Sequence, residues 1–276
     1  MQRRFVQLDV FTARAYRGNP LAVVIDGDGL DTVAMQRFAK WTNLSETTFL
    51  LTPEDPRADY RVRIFTPMAE LPFAGHPTLG SAHAWLASGG VPRRRGEVVQ
   101  ECEVGLVTVR SDGDGLAFAA PPLRRSGPLD DATLREAVDA LGLDRDDVVD
   151  AAWVDNGPGW LGLVLHSAEA VLAIRPGPMR LTIGVAGPYP TGAPFAYEVR
   201  AFYSDGGMTL EDPVTGSLNA SLAQWLIGEG RFDAPYVVSQ GTAIGRAGVV
   251  RISTDAAGGV WVGGDVVACV TGTVEL

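Results

Sequence analysis

Two seven-residue stretches of this chain, ELPFAGH at 70–76 and EDPVTGS at 211–217, carry a glutamate, a proline, a glycine and a polar side chain at one spacing. Laid over each other they pair Glu70 with Glu211, Leu71 with Asp212, Pro72 with Pro213, Ala74 with Thr215, Gly75 with Gly216 and His76 with Ser217. The chemistry open to such a stretch is anion binding. Glycine lets the backbone turn sharply into a following helix, whose first N–H groups lack intrahelical partners and point outward with the positive end of the helix dipole behind them. A carboxylate can be held there by peptide N–H groups and hydroxyls, without metal or cofactor. His76, at the mouth of the first such helix, is expected to have its pKa pressed down and to act as a neutral hydrogen-bonding ring. His83 and His166 lack that context and read as structural.

The match extends outward. RIFT at 63–66 has its counterpart in RAFY at 200–203, and both copies continue into a helix with a Trp-Leu pair, Trp85–Leu86 and Trp225–Leu226. Either copy alone is ordinary helix capping, whereas two matched copies argue for a duplicated strand, loop and helix unit. If a pseudo-twofold axis sets the two helix starts face to face, one small acidic substrate is gripped from both sides.

Periodicity shows which elements must position these loops. FVQLDVFTARAYRGNPLAVVI predicts two strands joined by a turn at Gly18, Asn19 and Pro20. Residues 31–42 put Val33, Met35, Phe38, Ala39 and Trp41 near helical spacing, with Asp31 or Thr32 as N-cap and an end near Asn43. NLSETTFLL and YRVRIFTP read as strands, which places Glu46 at a junction. GHPTLGSAHAWLASGG predicts a helix from Gly75 to a double-glycine stop, and residues 96–122 predict three short strands with glycine or aspartate turns. Pro121, Pro122 and the polar segment to 130 form the expected linker, after which DATLREAVDALGL starts a helix capped by Asp131. Strands around 151–166, a helix in SAEAVLAIR, strands at 181–187 and 195–203, a helix from Gly216 to Ile227 and closing strands complete the reading.

A length of 276 residues suits two domains, expected at 1–118 and 119–276 with the last strand free to return to the first. Hydrophobic residues at 46% and charged residues at 20% supply a core and give no case for disorder. A net charge of -10 argues against a nucleic-acid surface, and the Arg93–Arg94–Arg95 cluster is too short to make one, so it reads as a solvated loop. No apolar run approaches ~20 residues and no signal-peptide core opens the chain, so a cytoplasmic protein with no membrane partner is expected. Cys102 and Cys269 lie far apart in strand-like sequence and read as free buried thiols rather than a disulfide or a zinc site.

With these residues in view, the chain resembles the PhzF-like isomerases of phenazine biosynthesis, within the diaminopimelate epimerase-like fold. The resemblance runs nearly end to end, through DVFT, GNPLAVV, MQRFAKWTNLSETTFL, RIFTPMAELPFAGHPTLGSAH, EDPVTGS and QGTAIGR. It implies an α+β fold of two pseudo-twofold-related domains, each a highly curved, barrel-like sheet wrapped around a central helix, with the active site in the cleft between them. It also implies that Glu46, in the NLSET motif, moves a proton between carbons of a small cyclic carboxylate, and that His76, Asp212 and Ser217 complete the catalytic set. A carboxylate that is base and then acid needs burial to raise its pKa, while helix starts stabilise the charge that spreads through the substrate. On this view Asp212 and His76 orient the substrate's amino or hydroxyl group. Ser217 and the N–H groups near Gly75 and Gly216 hold its carboxylate, and Thr215, Asn19 and Ser45 are further binding candidates.

Two-thiol racemases of this fold carry cysteines where this chain has Ala74 and Thr215, so a single-base shuttle giving double-bond migration or tautomerisation is expected. An epimerase using Glu46 with a second acid, or a binding protein without turnover, are the alternatives. Leu218 and Asn219 depart from the alanine-rich continuation usual after this motif in phenazine enzymes. The resemblance further implies a homodimer serving secondary-metabolite or antibiotic biosynthesis.

Overall fold

The computed structural model describes residues 1–111 and 115–276, so the aspartate–glycine turn expected at 112–114 lies outside the described residues. The chain packs into two compact units, residues 1–119 with 263–276, and residues 120–262. Unit 1 opens with β1 (Gln2–Val10), β2 (Asn19–Val24), α1 (Thr32–Thr42), β3 (Glu46–Leu51), β4 (Tyr60–Phe65), β5 (Glu70–Leu71), α2 (Gly75–Ala87), β6 (Glu97–Cys102), β7 (Gly105–Ser111) and β8 (Leu116–Ala119). Unit 2 follows with β9 (Arg125–Pro128), α3 (Asp131–Leu141), β10 (Val148–Asp155), β11 (Trp160–Leu165), α4 (Ala168–Ala173), β12 (Thr182–Pro188), β13 (Tyr197–Asp205), β14 (Met208–Asp212), α5 (Gly216–Gly228), β15 (Tyr236–Gln240), β16 (Gly248–Thr254) and β17 (Val260–Gly264), whose last two residues belong to unit 1. The chain ends in unit 1 with β18 (Val266–Glu275).

The duplication is visible in the pairing order of each unit taken by itself. In unit 1, β1 and β2 are antiparallel, β2 and β3 parallel, β3 and β4 antiparallel, β4 pairs antiparallel with β5 and parallel with β6, and β6 with β7 is antiparallel. In unit 2, β10 to β16 repeat that succession step by step. Each parallel step needs a crossover connection, and α1 and α4 supply the first crossover of their units.

Inside unit 1, α2 packs against β1, β2, β3, β4, β6, β7, β8 and β18, so the sheet wraps the helix. A helix surrounded in this way must be apolar or small all round. Gly80 shows why, since a Cβ there would stand 2.4 Å from the Leu21 side chain. In unit 2, α5 is buried from Gly216 and Leu218 through Leu226 except at Gln224, and a Cβ on Gly184 of β12 would stand 2.2 Å from Leu218. Outer helices close the opposite faces. Met35, Phe38 and Ala39 of α1 pack on Val24, Phe49 and Phe65, and α3 and α4 cover Leu161, Leu163, Ile183, Val185 and Phe202.

The repeated glutamate ties each sheet to its loop. Phe65 is registered opposite Glu70 and Phe202 opposite Glu211. Arg63 donates Nε and Nη2 to the Glu70 carboxylate at 2.6 Å each, and Arg200 donates to Glu211 at 3.0 and 2.7 Å. Each guanidinium also lies over the phenylalanine two residues on, 5.1 Å from the Phe65 ring and 4.8 Å from Phe202. Arg200 in addition donates to the carbonyls of Val171 and Ile174 at the end of α4, 3.2 and 2.8 Å away.

Several sequence expectations need correction. Asn19 and Pro20 belong to β2 and the connecting loop is 11–18, because the Asp9 carboxylate accepts from the N–H groups of Arg17 and Gly18 and closes the loop earlier. Val33 and Trp41 are 64% and 79% exposed, since they sit away from the Met35–Phe38–Ala39 stripe that faces the sheet. The expected linker contains β9, whose partner β10 comes from later in the chain. Asp130, not Asp131, caps α3 by accepting from Thr133 N–H at 2.8 Å. Strands β5 and β14 were not expected and run directly into the glycine loops. Cys102 is buried, Cys269 only half-buried, and both are free.

Candidate active site

In unit 1, three of the expected residues converge. Glu46 is the first residue of β3 and is held by the parallel ladder to β2, where it stands opposite Leu21. Asn19 is the first residue of β2, and His76 is the second residue of α2, beside Gly75. His76 Nε2 stands 3.3 Å from Glu46 Oε2, and its Nδ1 stands 3.4 Å from Asn19 Nδ2. Both contacts are slightly long, as catalytic contacts often are before a substrate closes on them. Asn19 and His76 are buried, the Glu46 side chain is 15% exposed, and Ser45 precedes it in a half-buried bend.

Burial pushes the His76 pKa down to about 3, opposed by a hydrogen bond with the Pro20 backbone. Sequence reasoning expected the same direction from the helix start, but the leading cause is desolvation. At neutral pH the ring therefore meets Glu46 as a neutral imidazole. The unfolded chain protonates this histidine near 6.5, whereas the folded ring refuses the proton until about 3. Its contribution to stability is complete above 6.5 and is lost as pH falls toward 3, at about 1.4 kcal/mol per pH unit. Urea denaturation from pH 7 to 5 should show this slope in the wild type and about one proton less in His76→Gln. Equal slopes would mean that the ring is not held neutral by the fold.

Unit 2 presents a hydrogen-bonded loop. Asp212 ends β14, Thr215 is the N-cap of α5, and Gly216 and Ser217 are its first two residues. Thr215 Oγ1 donates to Asp212 Oδ2 at 2.5 Å and accepts from Gln240 Nε2 at 2.9 Å. Gln240 Oε1 accepts from Thr215 N–H at 3.0 Å and from Asn219 Nδ2 at 2.7 Å, and its Nε2 also donates to the Asp212 carbonyl at 3.2 Å. The polar groups of Thr215 are thus spent on shaping the loop and orienting Asp212. Ser217 Oγ accepts from Trp160 Nε1 at 3.0 Å, and its carbonyl accepts from Asn156 Nδ2 at 2.8 Å.

The two halves differ in the acids they carry. Register places Thr182 where unit 1 has Glu46, since Thr47 and Ile183 stand opposite the matched Phe65 and Phe202. Asp212 in turn has Leu71 as its counterpart. At the helix starts, Pro77 removes the third free N–H of α2, leaving those of Gly75 and His76, whereas α5 keeps those of Gly216, Ser217 and Leu218. Neither cysteine adjoins a helix start, because Cys102 ends β6 and Cys269 lies in β18, and burial raises the pKa of each thiol.

Sequence reasoning missed Gln240, Trp160 and Asn156. A signal for Gln240 existed, since it opens the QGTAIGR stretch and Gln100 of β6, in the matching parallel strand, is likewise buried and bonds Thr78 of α2 at 3.1 Å. Asn156 and Trp160 flank a glycine–proline turn, and their partner is 57 to 61 residues away.

A model of the phenazine biosynthesis-like protein family PhzC-PhzF matches residues 8–272. Antisense-enhancing sequence 1 of Schizosaccharomyces pombe is 36% identical across 98% of this chain and 98% of that protein. The trans-2,3-dihydro-3-hydroxyanthranilate isomerase of Pseudomonas fluorescens is 34% identical across 88% of this chain and 87% of that enzyme. In structure, a PhzF-family phenazine biosynthesis protein of Bacillus anthracis superposes with a TM-score of 0.84 over all of both chains at 22% identity, which supports the fold. From the matched motifs, the repeated pairing order and these similarities together, the chain belongs to the PhzC-PhzF phenazine biosynthesis-like family.

Proposed function

We propose that this chain is a cofactor-independent isomerase that moves a proton between carbons of a small unsaturated amino or hydroxy carboxylic acid, with Glu46 removing and returning the proton. The observation that carries this reading is the approach of Glu46 to a buried histidine that stays neutral. An imidazolium at that distance would stabilise the carboxylate and weaken it as a base, whereas a neutral ring orients it without quenching it. In the proposed step Glu46 takes a proton from carbon, the electron pair spreads through the neighbouring double bond, and the resulting carboxylic acid protonates a different carbon. No electrons leave the substrate.

The substrate's carboxylate is assigned to Ser217 and the free N–H groups at the start of α5, and its amino or hydroxyl group to Asp212. Thr215 acts here through Asp212 rather than on the substrate, and Asn19 holds His76. The named substrate of the Pseudomonas fluorescens relative is of this chemical class, being a cyclic, unsaturated amino and hydroxy acid.

The test is to incubate the protein with trans-2,3-dihydro-3-hydroxyanthranilate and related unsaturated acids in heavy water, following products by NMR and mass spectrometry. A shifted double bond with at most one carbon-bound deuterium per turnover is expected. Deuterium gained with inversion at one carbon would instead identify an epimerase, and binding without exchange would identify a protein that has kept the fold and lost the chemistry.

A further inference from the structure

Resting on the assignment of Ser217 to the substrate carboxylate, we propose that Trp160 is a positioning residue that commits the Ser217 hydroxyl to donating, and so selects a carboxylate over its neutral amide. An indole N–H can only donate, so Ser217 Oγ must be the acceptor in the 3.0 Å contact. Its own hydrogen must then be given elsewhere, and among the described residues no group accepts it. A serine in the first turn of a helix otherwise tends to turn its hydroxyl onto a nearby backbone group. The N–H of Trp160, itself buried, occupies one of the two lone pairs of the oxygen and polarises the O–H bond, which strengthens it as a donor.

Asn156 fixes the other end of the same residue. Its Nδ2 donates to the Ser217 carbonyl at 2.8 Å, so side chain and peptide are both pinned by residues from one segment, 156–160. Unit 1 has no such donor at the matching place: Trp160 stands opposite Thr182 as Leu21 stands opposite Glu46, so the register sets the indole where unit 1 has a leucine, and the contact is particular to unit 2.

The consequence is selectivity. With one of its two lone pairs taken by Trp160, the Ser217 hydroxyl beside the N–H groups of the helix start is a better donor than acceptor, so it favours an acceptor-only carboxylate over a carboxamide, whose N–H would find only the one remaining lone pair.

The experiment measures binding of 3-hydroxyanthranilate and its carboxamide by calorimetry to wild type, Trp160→Phe, Ser217→Ala and the double variant, with thermal melting of each. Trp160→Phe should weaken carboxylate binding about three- to tenfold and shrink the preference over carboxamide by the same factor, while the melting midpoint reports separately the packing lost when a buried ring is made smaller. Ser217→Ala should weaken it at least as much, and Trp160→Phe should add nothing in that background. If Ser217→Ala weakens binding while Trp160→Phe does not, or if the two effects multiply, the positioning role is wrong and the carboxylate assignment stands. If Ser217→Ala changes nothing, or the wild type fails to bind the carboxylate, the assignment falls and takes this inference with it. Should Trp160→Phe fail to fold, benzothienylalanine at 160 removes the N–H while keeping the ring shape, and the same outcomes decide.

Discussion

Glu46→Gln is expected to stop carbon-bound deuterium exchange, lowering turnover by about two to four orders of magnitude with little change in substrate affinity. Glutamine has the same length and shape and can still face His76, so binding geometry survives, but its amide cannot accept a proton from carbon. The position at the head of β3 makes the prediction sharp. Parallel pairing to β2 holds the Glu46 backbone, and the side chain is only 15% exposed, so a replacement has few other places to go. Glu46→Asp keeps the base but draws it back by one methylene, and a displacement of about 1 Å costs on the order of 100-fold when the reacting atoms are otherwise in place. The order wild type, aspartate, glutamine is the signature of a general base. Exchange at the wild-type rate in Glu46→Gln would remove this residue from the reaction and leave the proposed chemistry without its base.

The second large effect concerns stability and separates the two copies of the repeat. Glu211→Gln should destabilise the protein by about 3–5 kcal/mol, because Arg200 would be left as a buried charge without its counter-ion. Arg200 and Glu211 side chains are only 6% and 11% exposed. Arg63 and Glu70, at 22% and 31%, reach more water, and Glu70→Gln should cost about 1 kcal/mol. Urea denaturation of the two variants measures the contrast directly. Equal losses, or a neutral Glu211→Gln, would show that the repeated glutamate does something other than brace the strand that feeds each glycine loop. This assignment answers why the chain repeats a glutamate half a length apart. Glu70 and Glu211 are engaged by arginine in their own unit, and the repeat's residues proposed for chemistry, His76, Asp212 and Ser217, follow them.

Much of the fold was legible before any coordinates. The RIFT and RAFY strands, the glycine-led helices and the Trp-Leu pairs are local signals repeated at matching spacing, and they carry the duplication that the pairing order displays. Asp31 as the cap of α1 and Asn43 in a left-handed conformation at its end follow from short-range chemistry that a dozen residues contain. Strands β5, β9 and β14 were missed for the opposite reason. They are short, and their regular structure is imposed by partners, β4, β10 and β13, rather than by their own alternation. Val33 and Trp41 were misplaced because an apolar residue near helical spacing is not thereby on the buried stripe.

By itself, the sequence determined the family, the duplicated unit and the residue types at each helix start, because those depend on identity and spacing along the chain. Only the tertiary structure decided what surrounds them. It buried His76 and so made its ring neutral, set Glu46 against it, and brought Gln240 and Trp160 from distant strands onto Thr215 and Ser217. Desolvation and hydrogen-bond direction depend on every neighbour within a few ångströms, and those neighbours are chosen by the fold rather than by their place in the chain.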